Sequence, residues 1–271
     1  MLDCYIINLD KSVERWDTIS EKFRTLGLNV IRVPAIEGKD LSFPHPDFAA
    51  WRYFFWWGYE MIPNEVACTF SHIKALRMFL ESGKEHAMIC EDDVTPCAEL
   101  MEVLGEAMTY SDSWDLLRLN GIKPTRGWDF ADLSHGYRLG CDLKTKSGNG
   151  AKVVNRYAAE TIIKKCLPMQ FPHDIGLFYG FPIGIREVTV RPFPIQLNAP
   201  MAADSDIGVR PPRPFYHPLF LLFLTKLPYK IVSRSIRKIV RFRWAMQYRF
   251  FPPRPVQSQL GTPKSAGDEV P

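Results

Sequence analysis

The stretch "CYIINLDKSVERWDTISEKFRTLGLNVIRVPAI", Cys4 to Ile36, decides the fold. "CYIINL" is an apolar, β-branched run and reads as a buried strand. Ser12 stands where a helix N-cap belongs, and Val13, Trp16, Ile19, Phe23 and Leu26 follow at near-helical spacing. Gly27 supplies the stop. "NVIRVPAI" is a second strand that ends at Pro34, with Gly38 in the turn beyond it. Strand, helix and strand in this order form a βαβ unit, which implies parallel pairing.

The alternation continues downstream. "NEVACTFSHIKALRMFLESG" reads as a long helix behind Pro63, with Asn64 as N-cap and Gly83 as the end. A strand "AMIC", a helix over Ala98–Met108 and a strand "WDLLRLNG" (Trp114–Gly121) come next. Positions 123–150 read as loop with short strands, "AKVVN" leads into a helix over Arg156–Cys166, and "REVTVRPFPIQLN" reads as one strand whose prolines favour a sheet edge. The segment between Phe43 and Ile62 has no clean period. Seven of its residues from Trp51 to Tyr59 are Trp, Tyr or Phe, and it reads either as a core-packing excursion or as the aromatic wall of a cleft.

Composition fits a soluble globular chain: of 271 residues, 46% are hydrophobic and 24% charged. Six scattered cysteines make no C-x-x-C pair, which argues for reduced thiols in a cytosolic compartment and against a zinc site. "MLDCYIINLD" lacks a basic region followed by an apolar core, so no signal peptide is read there. The longest apolar run, "LFLLFL" at Leu219–Leu224, is far short of the ~20 residues that cross a bilayer.

The net charge of +4 hides an asymmetry. Residues 1–206 hold 22 Lys and Arg against 28 Asp and Glu, whereas residues 207–271 hold 12 against 2. No acidic residue occurs from Ile207 to Gly267. The expected organisation is therefore an α/β domain over 1–206, a basic amphipathic segment over 207–251 and a Pro-, Ser- and Gly-rich disordered tail over 252–271. On a helical projection Lys230, Arg234, Arg237, Lys238 and Arg241 share one stripe. Val232, Ile236, Ile239, Met246 and Phe250 gather opposite, with Arg243 intruding among them. A helix of this kind suits an anionic membrane surface. A tail packed on its own domain and a nucleic-acid patch are the alternatives.

"HAMICEDDVTP" (His86–Pro96) ends a buried strand in three consecutive carboxylates, Glu91, Asp92 and Asp93. Such charges repel one another, and desolvating them is costly. They are either an acidic surface turn or one side of a site that carries positive charge. In open α/β sheets ligands bind beyond the carboxyl ends of strands, where this triad falls. Hard carboxylate oxygens there suit magnesium or manganese, which keep open positions for phosphates. Asn8, Asp10 and Arg15 also follow a strand, and each taken alone reads equally as a cap or a solvated residue.

The ordered series "YIINLDKSVERW", "VPAIEGKDL", "NEVACTFSHIKAL", "MICEDDV", "WDLLRLNG", "GNGAKVVNRYAAE" and "FPHDIGLF" resembles glycosyltransferase family 25, a group that includes bacterial lipooligosaccharide galactosyltransferases. The resemblance spans about residues 3–207. It implies a GT-A-like, Rossmann-type mixed sheet flanked by helices, a UDP-sugar donor and a Mn2+ or Mg2+ motif at Glu91-Asp92-Asp93. Carried over by position, Asn8 and Arg15 are donor-site residues, and Pro34, Ala35 and Gly38 lie against the nucleotide. Ser71 and His72 are the family's Ser-His pair, although His72 reads equally as a core histidine. Asp93 is the expected direct metal ligand, Glu91 and Asp92 acting through water or the sugar, and His173 is a possible late ligand. Ala67 stands where the family usually has glycine. Lys152 stands where an aromatic is common, in a region expected to face sugar or acceptor.

The function so implied is metal-dependent, inverting transfer of a hexose, galactose foremost, from UDP to a lipid-linked oligosaccharide acceptor. The place would be the inner face of the bacterial inner membrane, with no nucleic-acid partner. An inverting reaction needs a base for the acceptor hydroxyl. Asp174, in "PHDIG", is the first candidate, and Asp115, in "WDLL", is the rival, which reads also as a strand-end cap. A non-catalytic membrane-bound glycan-assembly protein and a nucleic-acid binder acting through the tail are the alternative functions.

Overall fold

The computed structural model describes residues 2–122, 127–142, 148, 150–172, 184–198 and 227–256. The opening unit forms as its sequence predicts. Strand β1 (Asp3–Asn8) leads into α1 (Val13–Thr25), and β2 (Asn29–Pro34) pairs parallel to β1. Gly27, at φ +83°, makes the left-handed turn that releases the chain from α1. Strand β3 (His86–Glu91) joins the other side of β1, also parallel, so the carboxyl ends of all three strands share one edge.

The rest of the sheet is mixed. Strand β8 (Ala151–Asn155) runs antiparallel between β3 and β5 (Leu116–Arg118). Beyond β5 come β9 (Glu187–Arg191), parallel to it, then β7 (Arg138–Asp142) and β6 (Gly127–Asp132) as antiparallel neighbours. The order is β2-β1-β3-β8-β5-β9-β7-β6. A separate two-stranded ribbon pairs β4 (Val94–Pro96) with β10 (Ile195–Leu197).

Side-chain alternation places a core on each face. Cys4 and Ile6, Met88 and Cys90, and Ala151 and Val153 point to one side, against Ile19 and Phe23 of α1 and Leu100, Val103 and Leu104 of α4 (Leu100–Met108). Tyr5 and Ile7, Ala87 and Ile89, and Val154 point to the other. They meet Ile73, Leu76 and Phe79 of α3 (Pro63–Glu81) and Ala158 and Ile162 of α5 (Arg156–Cys166). Each fully buried aliphatic or aromatic side chain of this kind contributes about 1.5–3 kcal/mol. The unperiodic aromatic segment becomes α2 (Ala50–Trp57), and Tyr53 joins Phe48, Val66, Phe70 and Met169 in a small third cluster. Trp51 and Phe55 of the same helix are exposed.

Four local expectations change. Helix α3 starts at Pro63, not behind it. Pro63 fills the first helical position, where its missing N–H costs nothing. Asn64 therefore caps nothing, and its Oδ1 accepts the backbone N–H of Gly38 at 3.1 Å. "REVTVRPFPIQLN" is two strands rather than one, because its prolines fall between β9 and β10. Strand β9 is interior, not an edge. Lys152 does not face a ligand: it is buried on β8, beside Ile89 and Arg118 in register.

The fourth concerns the basic C-terminal segment. Helix α6 (Leu227–Phe250) packs on β6 and β7. Its Ala245 and Tyr248 are buried, and the Tyr248 hydroxyl donates to the Ser113 carbonyl at 2.5 Å. Arg241, expected on an outward cationic stripe, is buried too. It pairs with Glu187 at 2.7 Å and donates to the Asp142 carbonyl at 3.0 Å. Glu187 also takes Arg118 at 2.7 Å, so one carboxylate holds both guanidinium groups. The described part of the basic segment thus shares the core of the preceding residues. No helix among the described residues is long and apolar enough to cross a membrane.

Candidate active site

The triad, Asn8 and Ala35 all lie at the shared carboxyl edge of β1, β2 and β3, and α3 passes over them. The triad and Ala35 border an open cleft. Its walls include Lys11, Arg15, Ala35, Asn64, Cys68, Ser71, His72, Glu91, Asp92 and Asp93. Of the residues expected at the donor, Asn8, Pro34 and Gly38 stand apart from this lining. Pro34 is exposed, and its carbonyl accepts Lys74 Nζ at 2.8 Å. Gly38 is buried against the start of α3, where a Cβ would collide with Asn64 and Pro63. Its role is close packing rather than contact with a nucleotide.

The three carboxylates are chemically distinct. Asp92 Oδ2 accepts from Asn8 Nδ2 at 2.7 Å, and Oδ1 lies 3.8 Å from Arg15. Asn8 is itself fully engaged. Its Nδ2 also donates to the Ser12 carbonyl at 3.0 Å, and its Oδ1 accepts Arg32 at 2.7 Å. Asn8 therefore orients Asp92, with both its amide hydrogens engaged within the protein. Arg32 was not singled out in the sequence, since it looks there like an ordinary strand residue.

Glu91 Oε1 lies 3.0 Å from His72 Nε2. Burial, reinforced by the nearby Lys152 charge, holds the His72 imidazole well below its ordinary pKa. The ring is therefore neutral, and a carboxylate partner requires the proton on Nε2. Burial raises the Glu91 carboxyl, and Lys152 opposes that rise. Lys152 is in turn pulled down to about 8, mainly by burial and further by Arg118, with Glu91 acting the other way. A lysine inside the apolar run "AKVVN" was the signal for such an internal partner. His72 is thus both of the things it could be: a buried histidine and a wall of the site. Ser71 has a backbone task, its Oγ donating to the Ala67 carbonyl and accepting the Ile36 N–H, both at 2.8 Å. That fixes the segment after β2 onto α3.

Asp93 differs from both neighbours. Its Oδ1 is buried and has no hydrogen-bond partner among the described residues. Burial, then the charges of Glu91 and Asp92, push its carboxyl up to about 7, with Arg15 only partly opposing them. The backbone is pinned meanwhile: the Asp93 carbonyl accepts Asn198 N–H at 2.7 Å, at the end of the β4–β10 ribbon. A buried carboxylate oxygen without a partner, in a cleft that also holds Arg15 and Lys11, fits a divalent cation. Among the described residues no group of three His, Cys, Asp or Glu side chains is placed to hold a metal ion by itself. The donor set suits an ion that takes most of its ligands from phosphate and water, as magnesium and manganese do.

The two candidate bases separate. Asp115 lies at the start of β5, which runs in the direction of β3, so it sits at the sheet edge opposite the triad. It is buried and locked: Arg186 pairs with Oδ1 at 2.8 Å, the Arg186 backbone N–H donates to Oδ2 at 2.7 Å, and Asn155 Nδ2 donates to Oδ1 at 3.1 Å. Although burial acts to raise it, these bonds hold its pKa below the ordinary value. Asp115 is a structural anchor and not the base. Asp174 and His173 lie outside the described residues.

A βαβ opening with an acidic cleft at its carboxyl edge places the chain among α/β proteins that bind ligands at strand ends. The sequence profile of glycosyltransferase family 25 (LPS biosynthesis protein) matches residues 1–166, and the chain belongs to that family. It is a glycosyltransferase. The match ends before "FPHDIGLF", so Asp174 lies beyond it. The chain is also similar to a solved structure described as "Crystal structure of a glycosyltransferase involved in the glycosylation of the major capsid of PBCV-1". The identity is 10%, the TM-score 0.38, and the likeness covers 69% of this chain and 80% of that one. No curated protein matches the sequence.

Proposed function

We propose that the protein transfers a hexose, galactose foremost, from a UDP-sugar to a lipopolysaccharide-type acceptor, with a manganese or magnesium ion held at Asp93. The observation that carries this reading is the buried Oδ1 of Asp93, without a hydrogen-bond partner among the described residues, next to two carboxylates that other side chains already hold. Asp93 would hold a divalent ion, which would supply charge neutralisation for a departing diphosphate. Asp93 would be the direct ligand, and Glu91 and Asp92 would act through water or the sugar.

The chain's own residues divide the remaining work. Arg15 and Lys11 line the cleft and supply positive charge for phosphate oxygens. Asn8 and Arg32 fix Asp92, and neutral His72 with Lys152 fixes Glu91, so neither carboxylate has to reorganise when the donor arrives. Inversion requires a base on the face opposite the departing diphosphate, and Asp174 is the residue we assign to it from its position in the family's later motif.

The test is UDP release from a panel of UDP-sugars with purified protein, with and without manganese. Manganese-dependent release from one donor, lost in Asp93→Asn, supports the reading. Turnover in excess chelator, or full turnover by Asp93→Asn, overturns the metal site. Full turnover by Asp174→Asn overturns the base.

A further inference from the structure

Helix α6 presents two faces, and the inward one is accounted for by Arg241, Ala245 and Tyr248. The outward one is apolar. Val232, Ile239, Phe242 and Phe250 are 55%, 66%, 58% and 68% exposed, and Phe251 follows at 78%. Single exposed apolar residues are ordinary, but these recur along one side of a helix of 24 residues, about 36 Å long. A contiguous apolar strip of that kind marks an interaction surface.

Charge selects the partner. Lys238 is exposed beside the strip, Arg243 is exposed within it, and Arg254 is exposed just beyond the helix. Arg249, also exposed, leans on Trp128 at 4.7 Å. No acidic residue lies anywhere between Ile207 and Gly267 to offset them. A second copy docking through the same face would bring these cations against their own equivalents. A nucleic acid would use the cations and leave four large apolar side chains in water. Only an anionic lipid surface satisfies both features. Apolar side chains enter the headgroup boundary, and the arginine and lysine stems lie along it with their charges among the lipid phosphates.

We propose that this outward face of α6 docks on an anionic bilayer, with Val232, Ile239, Phe242 and Phe250 inserted and Lys238 and Arg243 on the headgroups. Arg241, which the helical projection puts on the cationic stripe, instead anchors the helix to its own sheet, and the apolar side meets the lipid. The surface is independent of the reading of the cleft.

The test is flotation of the full chain with vesicles of phosphatidylglycerol and of phosphatidylcholine. Binding to phosphatidylglycerol should fall with salt, and each exposed cation should be worth about fivefold in partitioning. The triple variant Ile239→Ser, Phe242→Ser, Phe250→Ser should lose at least tenfold with an unchanged urea midpoint. Lys238→Glu with Arg243→Glu should lose as much while leaving weak phosphatidylcholine binding as it was. The run "LFLLFL" is intact in every variant, so undiminished binding by the triple variant would overturn the assignment to α6. Equal affinity for the two lipids would overturn it as well. So would a lipid-free dimer that the triple variant dissolves, which would give the face to a second copy.

Discussion

Replacing Asp93 by asparagine should make the metal-free protein more stable while destroying the ion site. The carboxyl is pushed from 3.8 to about 7 by burial and by Glu91 and Asp92. At 1.36 kcal/mol per unit, holding it ionised above pH 7 costs at most about 4 kcal/mol. Asparagine keeps the shape and removes the charge, so the chelator-treated variant should gain about 2–4 kcal/mol at pH 8. The sign with pH follows from a folded-state pKa above the unfolded one. The advantage of the variant is largest above pH 7 and shrinks as pH falls towards 4, because the wild-type carboxyl regains its proton in that window. Urea denaturation at pH 8, 6 and 4.5, with chelator and then with excess manganese, measures both halves. In manganese the wild type should gain stability and the variant should not. A variant less stable than wild type in chelator at pH 8, or one stabilised by manganese as the wild type is, would refute the electrostatic account of the site.

Other outcomes follow from particular contacts. Asp115→Ala leaves Arg186 and Asn155 facing an empty, buried position and should cost about 3–5 kcal/mol in urea denaturation. Because the Asp115 pKa is lowered, its contribution is present above the ordinary aspartate pKa and is lost as pH falls through the lowered value. Gly38→Ala forces a Cβ into Asn64 and Pro63 and should lower thermal stability by about 1–3 kcal/mol, a loss that deleting the Asn64 side chain alone would not relieve. Tyr248→Phe removes the hydroxyl that reaches the Ser113 carbonyl and should cost about 1 kcal/mol without changing vesicle binding.

Much of the frame was legible because local patterns and the tertiary arrangement agree. The βαβ opening follows from an apolar run, a period of 3.6 and a glycine stop, all within 36 residues. The triad follows from its place at the end of a strand, since strand ends on one edge of a parallel sheet converge whatever lies between them. Functional class was legible through the ordered motifs, which the family match over 1–166 supports.

What the sequence could not state was which charges neutralise which. Asp115 and Asp93 are both acidic residues beside strands, yet one is held by Arg186, 71 positions away, and the other keeps an oxygen without a partner. Lys152 looked like a ligand-facing substitution until the pairing of β8 with β3 and β5 turned it inward beside Glu91. The helical projection of α6 could not tell which side faces the sheet. Glu187 decides that, because a half-buried carboxylate already holding Arg118 can also take Arg241. Periodicity and motif order thus determined the sheet and the class from the sequence alone. Partner choice among buried charges depends on distances that only close in three dimensions, and it determined the roles.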